Sequence, residues 1–172
     1  MKPKIFIYFI LLSLIFSCTK DEPDLRLSDY EIPKIEGYYV RLPDGSSIGQ
    51  VGTPNIKQGN GSNYFNSEYF FVFYPNPTNR TCCVHVKSPS IQETKKLWIT
   101  QARYVNQLPN SSVDLGMINL DVGGAPLIQK VFNSDHIAID LRSLAQGYYR
   151  IYLKVGEHIY YDNLVIDKQS KY

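Results

Sequence analysis

The chain has 172 residues, is 44% hydrophobic, 13% aromatic and 20% charged, and carries a formal net charge of +2. That length holds one domain or at most two small ones and excludes a large multidomain enzyme. Its 18 basic residues nearly balance its 16 acidic ones, which leaves no electrostatic footprint for general nucleic-acid binding. Plentiful aromatics exclude a disordered solvating chain, and 14 Tyr, 10 Pro and 11 Gly favour strands and turns over helices.

Lys2 and Lys4 precede Ile5–Phe16, an apolar run of 12 residues. Such a run has the length of a signal-peptide core and is too short to span a bilayer as a helix. It ends in Ile15-Phe16-Ser17-Cys18, which resembles a bacterial lipobox. The resemblance implies a leader over 1–17, cleavage before Cys18 and lipidation of the Cys18 thiol. An ordinary signal peptide with an incidental Cys is the alternative. Cleavage there leaves 155 residues with no net charge, because Lys2 and Lys4 are the only charges removed. A chain of that size buries about 68–70% of its unfolded surface and sustains one core. Thr19-Lys20-Asp21-Glu22-Pro23-Asp24 opens a flexible tether over 18–36. Lys followed by two acids just after the lipid Cys is also similar to the surface-export signal of Bacteroidota lipoproteins. That implies outer-membrane attachment, with the domain on the cell surface or on the periplasmic side.

Residues 37–172 are expected to form a single β-sandwich. Tyr38–Leu42 is a strand candidate, Pro43-Asp44-Gly45-Ser46 has turn chemistry, and Gly59–Asn63 is a loop. Gly59-x-Gly61 is no dinucleotide fingerprint, since no helix pattern follows it. From Tyr69 the period of two is strong. Tyr69–Tyr74 is an aromatic strand stopped by Pro75-Asn76-Pro77. Cys82, Val84 and Val86 alternate with Cys83, His85 and Lys87, and Leu97 and Ile99 with Trp98 and Thr100. Met117–Val122 and Leu127–Phe132 flank Gly123-Gly124-Ala125-Pro126 as a predicted hairpin. Ile137, Ile139 and Leu141 alternate in turn, and so do Tyr149, Ile151, Leu153 and Val155. After a tight turn at Gly156-Glu157, the last strand, Ile159–Ile166, changes phase, so a β-bulge is expected near Asp162-Asn163. No stretch has helical periodicity. The expectation is an all-β, immunoglobulin-like antiparallel β-sandwich of about seven to nine strands.

Two local signatures refine this. Leu144-Ala-Gln-Gly147-Tyr-Tyr149 has the spacing of a tyrosine corner, in which the Tyr149 hydroxyl would bond to backbone a few residues upstream; a plain turn before an amphipathic strand is the alternative. Phe73-Tyr74-Pro75-Asn76-Pro77-Thr78, then strands, the Asp140–Tyr149 segment and a final hairpin resemble the C-terminal sorting domain of type IX secretion substrates. The resemblance spans about 69–168 and implies an immunoglobulin-like fold. Extra residues between Trp98 and Val122, and an N-terminus that already supplies an address, depart from that family's pattern.

No catalytic constellation stands out. Ser134-Asp135-His136 are adjacent in sequence, which confers no triad geometry, and no Gly-x-Ser-x-Gly elbow is present. Cys82 and Cys83, as neighbours on a strand, point to opposite faces and form no disulfide framework. His85 shares a face with Cys83 but no third metal ligand is recognisable; His85, His136 and His158 are expected as solvated surface residues. Asp135/Asp140 or Asp162/Asp167 would serve acid–base chemistry only if the fold joined them. The most suggestive patch is the outward face of one strand, where Tyr148, Arg150, Tyr152 and Lys154 interleave aromatic and cationic groups. Tyr148, Arg150 and Tyr152 are the candidate partner-binding residues, for a glycan or an envelope protein, unless 37–66 covers the row. The expectation is a lipid-anchored, non-catalytic binding module without metal or cofactor. A type IX sorting module is the first alternative, and a carboxylate-based glycan hydrolase the weaker one.

Overall fold

The computed structural model describes residues 32–105 and 125–171. The expected leader, Cys18, the first part of the expected tether, and Met117–Val122 with Gly123-Gly124 lie outside these residues. Within them the chain is all-β, with no helix.

Eleven strands follow in order: β1 (Lys34–Ile35), β2 (Gly37–Arg41), β3 (Ser47–Gly52), β4 (Phe70–Tyr74), β5 (Thr81–Lys87), β6 (Lys95–Gln101), β7 (Arg103–Tyr104), β8 (Ile128–Phe132), β9 (His136–Asp140), β10 (Gly147–Val155) and β11 (His158–Ile166). An antiparallel sheet runs β11-β10-β6-β8 and a second runs β4-β5-β9. The two share one hydrophobic core in a sandwich-like arrangement. Phe71, Phe73, Cys82, Val84 and Ile139 come from one sheet, and Leu97, Ile99, Ile151, Leu153 and Leu164 from the other; all are buried. Alternation in β5 and β10 therefore sends side chains where the period of two predicts. Two small pairs complete the domain, the β2–β3 ribbon and a parallel β1–β7 contact.

Gly156-Glu157 makes the tight turn between β10 and β11, with Gly156 at φ 55, a conformation that Gly adopts without steric cost. The Tyr149 hydroxyl donates to the Ala145 carbonyl at 2.8 Å and Leu144 is buried beside it, the tyrosine-corner bond expected from the sequence.

Two expectations change. First, β11 has no bulge: its register with β10 is continuous from Gly147↔Ile166 to Val155↔His158. Tyr160, Asp162, Leu164 and Ile166 all face inward and are buried, while Ile159 is exposed. A polar residue at an inward position imitates a phase break. Asp162 is tolerated there because Arg41 Nη2 and Gln58 Nε2 both donate to its carboxylate at 2.8 Å. Second, the tether boundary at 36 is too late. Ile35 is fully buried, and Arg103 and Val105 donate backbone bonds to Pro33 and Ile35. β8 pairs with β6; its expected hairpin partner, Met117–Val122, lies outside the described residues.

The Tyr74-Pro75-Asn76-Pro77 segment, both of whose X–Pro bonds are cis, clasps β2 to β11. Fully buried Asn76 donates from Nδ2 to the carbonyls of Tyr39 and Asn163 and accepts from the Val165 N–H at Oδ1. Its backbone also pairs in both directions with Arg41.

Candidate functional site

The outer face of the four-stranded sheet differs from its sequence reading. Arg150 was expected to be exposed but is buried. Its guanidinium donates to the carbonyls of Lys34 and Asn55 and to the side-chain oxygens of Asn55 and Asn163. The N-terminal segment that covers it carries no periodic signal, so sequence alone leaves the residue looking solvated. Tyr148 is half-buried, its ring stacked on Tyr104 at 4.9 Å and tilted against Tyr38 at 6.5 Å. Tyr152 is half-buried too, stacked on Trp98 at 5.1 Å with only 8° between planes. Trp98, Tyr152 and Tyr161 are register partners across three strands. Neighbouring side chains thus occupy a ring face of each Tyr that a sugar would need. Arg150 is a brace that ties the N-terminal segment to this sheet.

Other candidates are not assembled. Ser134 Oγ donates to the backbone carbonyl of His136, not to an imidazole. Asp140 forms an exposed pair with Arg142, whose hydrogen bonds hold its carboxyl at about 2. Asp135 lies 3.9 Å from Lys95. Asp162 is sealed under Arg41, and burial pushes its carboxyl pKa up against the opposing effect of that cation. Cys82 is a core residue whose thiol burial pushes up to about 12, while Cys83 faces outward; both are free. At that pKa, Cys82 is no thiolate nucleophile at neutral pH.

A groove of about 480 Å³, open to solvent, lies instead on the outer face of β4 and β5, within the size range of small-ligand sites, ~300–1,000 Å³. Phe70 and Val72 of β4 and His85 of β5 form one side. Tyr39 and Arg41 of β2, with Gly45 of the β2–β3 turn and Ser47 of β3, form the other. Gln58 and Tyr64 line it from the loop before β4. That loop is polar in sequence because its side chains hold its shape. Asn63 Oδ1 accepts from the N–H groups of Phe65 and Asn66, and buried Ser67 donates from Oγ to the Asn63 carbonyl at 2.6 Å. Tyr64 stands edge-on to Phe70 at 5.7 Å and remains 37% exposed. Lys87 anchors the loop by donating to the Tyr64 carbonyl at 2.8 Å.

His85 is not a simple solvated histidine. It is half-buried and stacks on His136, its register partner on β9, with ring centroids 4.1 Å apart. Burial, and then His136, hold its pKa below the ordinary value, so it meets the groove as a neutral ring at neutral pH. Arg41 is the one lining residue with a fixed charge, and that charge is spent: Nη2 bonds Asp162 and Nη1 the Phe73 carbonyl at 3.3 Å. Among the described residues the lining is therefore aromatic and hydroxyl-bearing, with no unpaired charge of its own, and the neighbouring Lys87 ammonium is tied to the carbonyls of Tyr64 and Phe65. Sequence reasoning missed Tyr39, Gln58, Tyr64 and Phe70 as a set because they come from three segments that only the fold brings together. The one available signal was Tyr64-Phe65, two aromatics inside a polar loop. No family model matches the chain, and no curated protein sequence is significantly similar to it.

Proposed function

We propose that this protein is a lipid-anchored cell-envelope module that acts by binding rather than catalysis, with the β4–β5 groove as its binding surface. The groove carries the reading: it is a shallow, open depression that gathers aromatic walls and polar groups from three segments, the kinds of group that line ligand sites. The leader ending in Cys18 supports the address. The tyrosine-corner bond of Tyr149 and the core shared by two sheets support an immunoglobulin-like sandwich. A type IX sorting module is the second reading, on the strength of Tyr74–Pro77 and Asp140–Tyr149. Binding is preferred to it because the clasp made by Asn76 gives that motif a structural reason of its own. Hydrolysis is disfavoured because Asp140 and Asp162 are each held by an arginine.

Immobilised wild-type and Tyr64→Ala chains, challenged with a solubilised envelope extract, test the site. The wild type should retain material that the variant does not. Equal retention by the two removes the groove as the binding surface.

A further inference from the structure

The chemistry of the groove also selects its occupant. We propose that it takes a neutral saccharide; this rests on the groove being the binding surface. Three observations converge on that class. The first is electrostatic: among the described lining residues the one fixed charge, Arg41, is ion-paired with a fully buried carboxylate at 2.8 Å. An anionic ligand would have to draw Arg41 off Asp162, leaving that carboxylate buried and unpaired, or draw Lys87, whose Nζ lies over the Tyr64 ring at 4.8 Å, off the Tyr64 and Phe65 carbonyls that it bonds. A cationic ligand would meet no acid among the described lining residues. The second concerns the backbone. A peptide is commonly captured by adding a strand to a free sheet edge, but the edge of β4 along the groove is already closed. Phe71 donates to the Gln58 carbonyl at 2.8 Å and Asn60 to that of Tyr69 at 3.2 Å. Recognition there falls to side chains.

The third observation is what those side chains offer. Phe70 and Tyr64 supply ring surface for the apolar C–H face of a sugar. Lys87 Nζ lies over the Tyr64 ring at 4.8 Å, as Arg41 lies over that of Tyr39 at 5.3 Å, but Tyr64 stays 37% exposed and is the most accessible of the three rings. The hydroxyls of Ser47, Tyr39 and Tyr64 donate and accept, and Gln58, whose amide N–H serves Asp162, keeps its oxygen as an acceptor. Apolar ring faces beside uncharged two-way hydrogen-bonding groups match a polyhydroxylated ring. They match neither an acyl chain nor an ion.

The test titrates the full-length chain, held in a detergent without a sugar headgroup, with neutral xylo-, manno- and chito-hexaoses and with acidic galacturonate oligomers, by calorimetry. At least one neutral oligosaccharide should bind. Tyr64→Ala should weaken it about tenfold or more, as truncation of an aromatic anchor does, and Tyr64→Phe, which keeps the ring, should bind within a few-fold of wild type. Binding of the acidic oligomers alone, no saccharide binding, or indifference to Tyr64→Ala overturns the proposal. Treating the envelope extract separates the two readings. If retained material is lost to periodate, which cleaves vicinal diols, but survives protease, the saccharide stands. If it is lost to protease and survives periodate, the groove remains a binding surface but its occupant is a protein.

Discussion

Asp162 is the residue where sequence pattern and physical structure part most clearly. A carboxylate at an inward strand position breaks the apolar alternation, and pattern alone resolves the conflict by inserting a bulge. The fold resolves it with partners from 121 and 104 residues away in sequence, Arg41 and Gln58. Such partners cannot be inferred from local periodicity, because nothing near Asp162 in the chain announces them. The pair also explains why Arg41, a charged residue, is only 4% exposed, its guanidinium lying between the rings of Tyr39 and Phe73. Arg41→Met should destabilise the protein by about 3–5 kcal/mol in urea melts, since it strands a buried carboxylate. Arg41→Met combined with Asp162→Leu should cost less than Arg41→Met alone. A single-variant cost below about 1 kcal/mol would refute the account.

At the scale of elements, strands with one clean apolar face were readable. β5 keeps strict alternation, and β10 keeps it for its apolar residues, because each packs one face on the common core. The opposite faces were harder to read. Tyr148, Arg150 and Tyr152 resemble a solvated row, yet β1 and the Asn55 segment reach over Arg150 with backbone carbonyls, and such contacts leave no trace in hydrophobic pattern. β1 and β7 were missed because two residues make no period, and β3 because all six of its residues are exposed. The corner before β10 was readable because it has its own spacing signature. Tyr149→Phe deletes one hydrogen bond to the Ala145 carbonyl while the ring stays packed. Ala145 is exposed, so water replaces the lost donor and the cost should be about 1 kcal/mol. Tyr148→Phe, which leaves the corner bond intact, should cost little in the same melt. Indistinguishable variants would show that the corner bond contributes nothing to stability.

For the whole molecule, the proposed membrane address raises the question of what would hold the chain there. Among the described residues, no helix is long and apolar enough to cross one, and the apolar residues of the long strands are spent on the shared core. Electrostatic attachment is weak as well, because the chain after the leader has no net charge and basic residues are what an anionic bilayer surface attracts. The proposed function assigns anchoring to Cys18. Each buried acyl CH₂ contributes about 0.8 kcal/mol, so a single chain holds marginally while two or more hold stably. Cys18→Ala should therefore move the protein from the membrane pellet to the soluble fraction, whereas a high-salt wash should leave the wild type in the pellet. Metabolic labelling with a radioactive fatty acid supplies the second readout. Label in the wild type and none in Cys18→Ala is the expected result, and an unlabelled wild type would remove the lipid anchor from the proposed function. The groove would survive that outcome, because β2, β4, β5 and the 58–67 loop that build it are positioned by the core and not by the anchor.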